Sequence, residues 1–164
     1  MAAMPPRTNQ DDAQLAAVAE ALAAAIEAAL PGWVERSVGR VAGAFLGVVG
    51  AELRGAASAA GERAAADVGA ELRALLATDV DEQATNPLAV LRGAVRYPTA
   101  VLRDAGVPPV VRSEFEQRAF PDDDYDLTPA TWSDIDPVLH EPGLMWGAAK
   151  AHVVLARRKI EGKR

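Results

Sequence analysis

The chain has no cysteine among its 164 residues. Disulfide bonds, thiolate catalysis and cysteine-ligated zinc or iron–sulfur sites are therefore excluded. Aromatic residues make up only 5% of the sequence, and much of the hydrophobic half is alanine. Because alanine buries little area per residue, we expect a thin core wherever alanine dominates.

Positive charge is in the minority, with 17 lysines and arginines against 23 acids and a net charge of −6. A nucleic-acid-binding domain normally presents a net basic surface, so we expect no nucleic-acid partner. The longest apolar run, residues 41–51, is too short to span a bilayer. Residues 1–10 lack the apolar core of a secretory signal. These features predict a cytoplasmic protein.

Apolar spacing predicts a helical hairpin over residues 11–78. The first helix carries one apolar face at spacings of three and four, formed by Leu15, Val18, Leu22, Ile26 and Leu30. We expect Pro31-Gly32 to end this helix. A second face follows, and beyond residue 53 it continues mainly in small residues: Val34, Val38, Val41, Phe45, Val48, Leu53, Ala57, Ala60, Ala64, Val68, Leu72 and Leu75. Small residues allow close approach, so a long second helix, broken near Gly55 or Gly61, is expected to fold back on the first.

The composition changes near Asp79. Eight of the eleven prolines and six of the eight aromatic residues lie beyond this point. Short helices are predicted at 87–96, 98–105, 112–119, 129–135 and 142–159, separated by proline-rich breaks. The whole chain is thus predicted to be all-α, with a disordered segment at 1–10, an Ala/Gly-rich hairpin at 11–78, a linker at 79–86 and a small helical domain at 87–164. We expect few contacts between the hairpin and that domain.

A stripe of small residues is the first candidate site. Gly39, Gly43 and Gly47 are spaced by four, so they share a helix face roughly opposite the valine face. Each glycine destabilises an exposed helix by about 1 kcal/mol relative to alanine. The functional hypothesis is a helix contact in a homo-oligomer or with a partner. The alternative is glycine that is merely tolerated in an Ala/Gly-biased chain.

A stiff apolar segment followed by acids is the second candidate site. Consecutive prolines restrict residues 106–111 to a non-helical conformation that loses little entropy on docking. A short helix over 113–119 is expected to turn the chain back toward the acidic run. The predicted partner-binding residues are Val107, Pro108, Pro109, Val110, Val111, Asp122, Asp123, Asp124 and Tyr125. Such apolar anchors inside an acidic rim suit a basic protein partner. The alternative is that the valines pack inward against Trp132 and Trp146 while the acids face water.

No pattern predicts catalysis or a metal site. Asp122, Asp124 and Asp126 have calcium-loop spacing, but Leu127 and Ser133 occupy positions that require glycine and glutamate. The two histidines, His140 and His152, do not share a metal-binding motif. Phosphate-binding loops and nucleophile elbows are absent from the sequence. We therefore expect no catalytic residue, metal or cofactor.

The leading hypothesis is a non-enzymatic helical interaction or adaptor protein that binds a protein partner and self-associates through its N-terminal helices. A peripheral membrane protein using an amphipathic helix is the alternative, and a small-molecule-binding or enzymatic helical domain is the third. Five cations follow the apolar stretch 153–155: Arg157, Arg158, Lys159, Lys163 and Arg164. They suit either the C-terminal dipole of a helix or an anionic surface.

Overall fold

The computed structural model describes residues 9–77, 87–119 and 123–127. Every regular element in these ranges is helical: α1 (Asn9–Leu46), α2 (Ala51–Ala77), α3 (Pro87–Arg92), a 3-10 turn (Gly93–Val95), α4 (Arg96–Asp104) and α5 (Glu114–Ala119). The prediction of an all-α chain, with a long N-terminal hairpin followed by shorter helices, is confirmed. The predicted linker at 79–86 and the predicted helices at 129–135 and 142–159 lie outside the described residues.

The hairpin turns later than the sequence indicates. Helix α1 continues through Pro31-Gly32, and the chain reverses at residues 47–50. Proline removes one intrahelical hydrogen bond, but the flanking side chains Leu30 and Trp33 are buried and hold the helix together. The predicted helix end at Pro31 is therefore wrong. The predicted break near Gly55 or Gly61 is also wrong, because α2 is continuous across both.

The end of α1 is set by a left-handed glycine. Gly47 has a φ of +75°, and its N–H donates to the carbonyl of Gly43 at 2.9 Å. This is the glycine C-cap that commonly terminates helices. Since the chain leaves the helix here, Phe45 and Val48 are 55% and 79% exposed. The valine face thus buries Val34 and Val38 but does not extend to the turn as predicted.

Small residues occupy five of the nine buried positions of α2. The closest approach is at Gly61, where an added Cβ would lie only 2.8 Å from Pro31 Cα and 3.0 Å from Pro31 O. Glycine is needed here because the two backbones meet. Six of the other buried positions of α2 lie on the predicted face: Ala57, Ala60, Ala64, Val68, Leu72 and Leu75. Gly69 and Leu76 are buried as well.

The later helices pack on the hairpin and share its core. Val90, Val95, Leu102 and Val107 are buried in the same hydrophobic cluster as the hairpin residues. Helix α4 contacts both α1 and α2. The expectation of few contacts between the hairpin and the following residues is therefore wrong for the described part of the chain. The physical reason is that the alanine-rich hairpin leaves apolar surface that only further side chains can cover.

Helix α4 starts before the predicted position but ends at the predicted stop. Pro98 was expected to mark a break, yet it lies in the first turn of α4, where a missing N–H is tolerated. The C-terminus follows the predicted stop at Gly106, whose φ is +75°. Gly106 N–H donates to Arg103 O and Val107 N–H donates to Leu102 O, each at 3.0 Å. This Schellman arrangement places Val107 in the core against the end of α4.

Substituting Gly61 and Gly55 with alanine should change stability in opposite directions, although both lie inside α2. Gly61→Ala forces the backbones apart, and we expect a loss of about 1–3 kcal/mol. An added Cβ at Gly55 meets nothing within 4 Å, so Gly55→Ala should stabilise the protein by about 0.5–1 kcal/mol. Urea unfolding followed by circular dichroism measures both. Equal effects would contradict the close approach at Gly61.

Leu102→Ala should weaken the hairpin as well as α4, because Leu102 is fully buried in the shared core. We expect the main helical unfolding transition to lose about 2–5 kcal/mol of stability. Ala100→Ser, at an exposed position of the same helix, is the matched control and should change stability by less than about 0.5 kcal/mol. If Leu102→Ala left the unfolding of the hairpin unchanged, the hairpin and the later helices would be separate domains, as the sequence predicted.

Candidate partner-binding surface

Two loop segments, residues 107–112 and 123–127, lie side by side, and we call them the loop pair. The backbone N–H of Val110 donates to the carbonyl of Asp124 at 2.9 Å. The Tyr125 hydroxyl donates to the carbonyl of Val107 at 2.6 Å, and this contact is buried. The sequence prediction that the stiff apolar segment and the acidic run come together is therefore supported by the geometry.

A buried ion pair holds the loop pair from within. The Arg112 guanidinium lies 3.9 Å from Asp123 Oδ2, and their side chains are only 8% and 2% exposed. Arg112 also donates to the backbone carbonyl of Asp123. The other carboxylate oxygen, Oδ1, accepts the N–H of Leu127 at 2.6 Å. Both oxygens of Asp123 are thus engaged inside the protein, as burial of a charge requires.

A second ion pair connects the loop pair to α4. Arg103 Nη2 lies 2.5 Å from Asp124 Oδ2. Asp126 follows with a left-handed φ of 56°, a conformation that aspartate and asparagine tolerate better than most residues. The turn between Asp123 and Leu127 is therefore fixed at both its backbone and its side chains.

The structure corrects part of the predicted partner surface. Asp123 and Tyr125 are 2% and 4% exposed, so they hold the loops together and are not presented to a partner. Burial raises the pKa of the Tyr125 hydroxyl, which keeps it protonated as a hydrogen-bond donor. Val107 is also buried, packed in the core behind the Schellman turn. Asp122, Trp132 and Trp146 lie outside the described residues.

Exposed apolar residues run from this segment into α5, and we call them the apolar ridge. Val110, Val111 and Phe115 are 51%, 98% and 74% exposed, and the neighbouring Pro108 and Pro109 are exposed as well. Contiguous apolar patches mark interaction sites more often than isolated apolar residues do, and these three large side chains lie within six residues of the chain. The alternative prediction, in which all three valines pack inward, holds for Val107 but not for Val110 and Val111.

Phe115 is presented by α5, whose side chains are exposed from Glu114 to Arg118. A capping box begins this helix: Ser113 N–H donates to Glu116 Oε2 at 2.9 Å, and Glu116 N–H donates to Ser113 Oγ at 3.3 Å. The hydrogen bond from the Ser113 backbone lowers the pKa of Glu116. The carboxylate therefore stays charged, and the cap stays closed, at any pH above the ordinary glutamate range.

The three predicted contact glycines have three different environments. Gly39 lines an open cleft of about 480 Å³ beside the hairpin turn, together with Glu35, Val38, Val49, Arg54, Gly55, Ala57 and Ser58. A Cβ added at Gly43 would have only Val49 Cγ2 within 4 Å, at a distance of 3.8 Å. Gly47 is the C-cap of α1. None of the three approaches another backbone within the described residues, so their role in self-association stays a prediction.

Charged groups elsewhere link helices. Arg73 of α2 bridges two glutamates of α1, at 3.0 Å from Glu20 Oε2 and 2.5 Å from Glu27 Oε2. The Tyr97 hydroxyl donates to Asp67 Oδ2 at 2.5 Å. Burial and this hydrogen bond raise the pKa of Tyr97, so Tyr97 is poorly suited to act as a base.

Among residues 9–77, 87–119 and 123–127, no cluster of three or more acids or histidines could hold a metal ion. His140 and His152 lie outside these ranges. The described helices also include none with the length and apolar character needed to cross a bilayer.

Comparisons with protein-family models, with curated proteins and with solved structures find no match to this chain.

Sequence reasoning missed the residues that organise the surface. Arg103 and Arg112 pair with acids 21 and 11 positions away, and no local spacing indicates such pairs. The start of α5, the helix that carries Phe115, had a readable signal, because Ser113 and Glu116 have capping-box spacing. The exposed tip of the hairpin, formed by Phe45, Leu46 and Val48, was missed because these residues continue the apolar spacing of α1.

Asp123→Asn should loosen the loop pair, because it removes the negative charge from a buried ion pair. We expect a loss of about 3 kcal/mol in unfolding free energy and faster hydrogen exchange at the Val110 amide. Asp126→Asn is the matched control, since Asp126 is exposed and asparagine also accepts a left-handed φ. If the two variants unfold at the same urea concentration, the buried ion pair does not hold the loops.

Proposed function

We propose that the protein is a non-enzymatic helical interaction protein and that its apolar ridge docks a protein partner. The observation that carries the proposal is the exposure of Val110, Val111 and Phe115 on one connected segment. These side chains are exposed, whereas Val107, Asp123 and Tyr125 of the loop pair are buried and make the contacts that hold the loops together. Apolar anchors of this kind supply most of the energy in protein–protein interfaces.

The rigidity of the loop pair supports the proposal. A segment that is already fixed loses little conformational entropy when a partner binds. Pro108 and Pro109 restrict the backbone, and the Arg112–Asp123 ion pair and the Tyr125 hydrogen bond hold it from behind. These contacts hold the backbone that carries Val110 and Val111.

The hairpin tip favours a second candidate function. Phe45, Leu46 and Val48 are 55%, 47% and 79% exposed at the turn between α1 and α2. A second copy of the chain or the surface of a bilayer would cover such a tip. This observation keeps self-association and peripheral membrane binding as alternatives, located at a different place on the molecule.

Replacing Val111 and Phe115 together with serine should abolish partner capture without changing the melting temperature. Both side chains are mostly exposed, so we expect a stability change of less than about 0.5 kcal/mol. Loss of two anchors should weaken a partner complex by about 2 kcal/mol or more, roughly thirtyfold. The measurement is quantitative pull-down of the intact protein, with binding partners compared between variant and wild type.

Phe45→Ser with Leu46→Ser is the matched control, because it removes similar apolar surface at the hairpin tip. Partner capture should persist in this variant. Capture lost with the tip variant and kept with the ridge variant would transfer the interface to the tip. Sedimentation equilibrium and flotation with anionic vesicles then separate self-association from membrane binding.

A further inference from the structure

We infer that the partner segment that docks on the apolar ridge is cationic and amphipathic, with lysine or arginine beside its apolar anchors. This inference rests on the proposed function and adds the chemistry of the partner. It is carried by the balance of charge around Val111 and Phe115.

Two arginines near the ridge, Arg112 and Arg103, are each paired with an aspartate, Arg112 in the interior and Arg103 at the surface. Arg112 pairs with Asp123 in a buried contact, and Arg103 pairs with Asp124 at 2.5 Å. These guanidinium groups therefore add little positive potential to the surface that a partner would meet.

The carboxylates that remain are exposed. Glu114 and Glu116 flank Phe115 on either side, and Asp126 is exposed at the turn of the loop pair. Within residues 107–119 and 123–127, Arg118 is the only exposed cation outside the two ion pairs. Three exposed carboxylates against one guanidinium give this surface a net negative charge. The hydrogen bonds from Ser113 hold the pKa of Glu116 low, so its charge persists below neutral pH.

This charge pattern selects among partners. A cationic segment gains attraction from the carboxylates while its apolar residues cover Val111 and Phe115. An acidic segment of the same apolar content is repelled. Anionic lipid is repelled for the same reason, since membrane-binding surfaces normally carry lysine and arginine. The ridge is thus suited to a basic protein segment and unsuited to a bilayer.

The test uses two labelled synthetic peptides on the full chain. One is an amphipathic helix of leucine and lysine, and the other has glutamate in place of every lysine. Fluorescence anisotropy should show binding of the basic peptide only, and binding should weaken as salt is raised. Failure of the basic peptide to bind, or equal binding of both peptides, would overturn the inference.

Two variants assign the charge and the apolar contributions. Glu114→Gln with Asp126→Asn removes two exposed charges with little change of shape, and it should weaken the basic peptide roughly threefold to tenfold. Val111→Ser with Phe115→Ser should abolish binding. Unchanged affinity in the charge variant overturns the inference.

The same experiment separates this inference from the proposed function. If both peptides bind equally and only the ridge variant abolishes binding, the cationic preference fails while the docking role of the ridge stands. If the ridge variant binds the basic peptide as well as the wild type does, both proposals fail. Vesicles of anionic lipid that retain the wild type but not the ridge variant would also overturn the choice of a protein partner.

Discussion

The contact between the backbones of α1 and α2 at Pro31 and Gly61 is the constraint on which the rest of the fold depends. With 2.8 Å between Pro31 Cα and the position of an added Cβ, no side chain fits between the helices there. On the α2 side the neighbouring buried positions are Ala57, Ala60 and Ala64, so α2 adds little side-chain volume to the core at this point. Val95, Leu102 and Val107 complete that core from the following elements. Helix α4 therefore contributes to the stability of the hairpin through a shared core.

The position of α4 in turn determines where the loop pair lies. The Schellman turn at Gly106 directs Val107 into the core and sends the next residues outward. Arg103, at the end of α4, reaches Asp124 and fixes the second loop against the first. The part of the ridge formed by Val110 and Val111 is thus linked to α4 by the chain itself and by the ion pair between Arg103 and Asp124.

Local patterns predicted the helices well and the long-range contacts poorly. The small-residue face of α2 is readable from spacing alone, and so is the stop at Gly106. Pro31-Gly32 has the local character of a helix end, and only packing on α2 explains why the helix continues. Both sequence interpretations placed the acidic run at the surface, either as a rim that contacts a basic partner or as acids that face water. Asp123 instead forms a buried ion pair with Arg112, and α5 lies between these two residues in sequence. Such a tertiary contact cannot be predicted from local spacing.

The alanine-lined interface has a consequence for the thermodynamics of unfolding. The heat-capacity change of unfolding comes mainly from apolar area that becomes hydrated, and globular proteins average about 12–15 cal/mol/K per residue. The part of α2 that meets α1 through Ala57, Ala60 and Gly61 exposes less apolar area per residue on unfolding than a leucine-lined helix does. We therefore expect a smaller heat-capacity change and a flatter dependence of stability on temperature. Such a protein would keep most of its modest stability over a wide thermal range and resist denaturation in the cold.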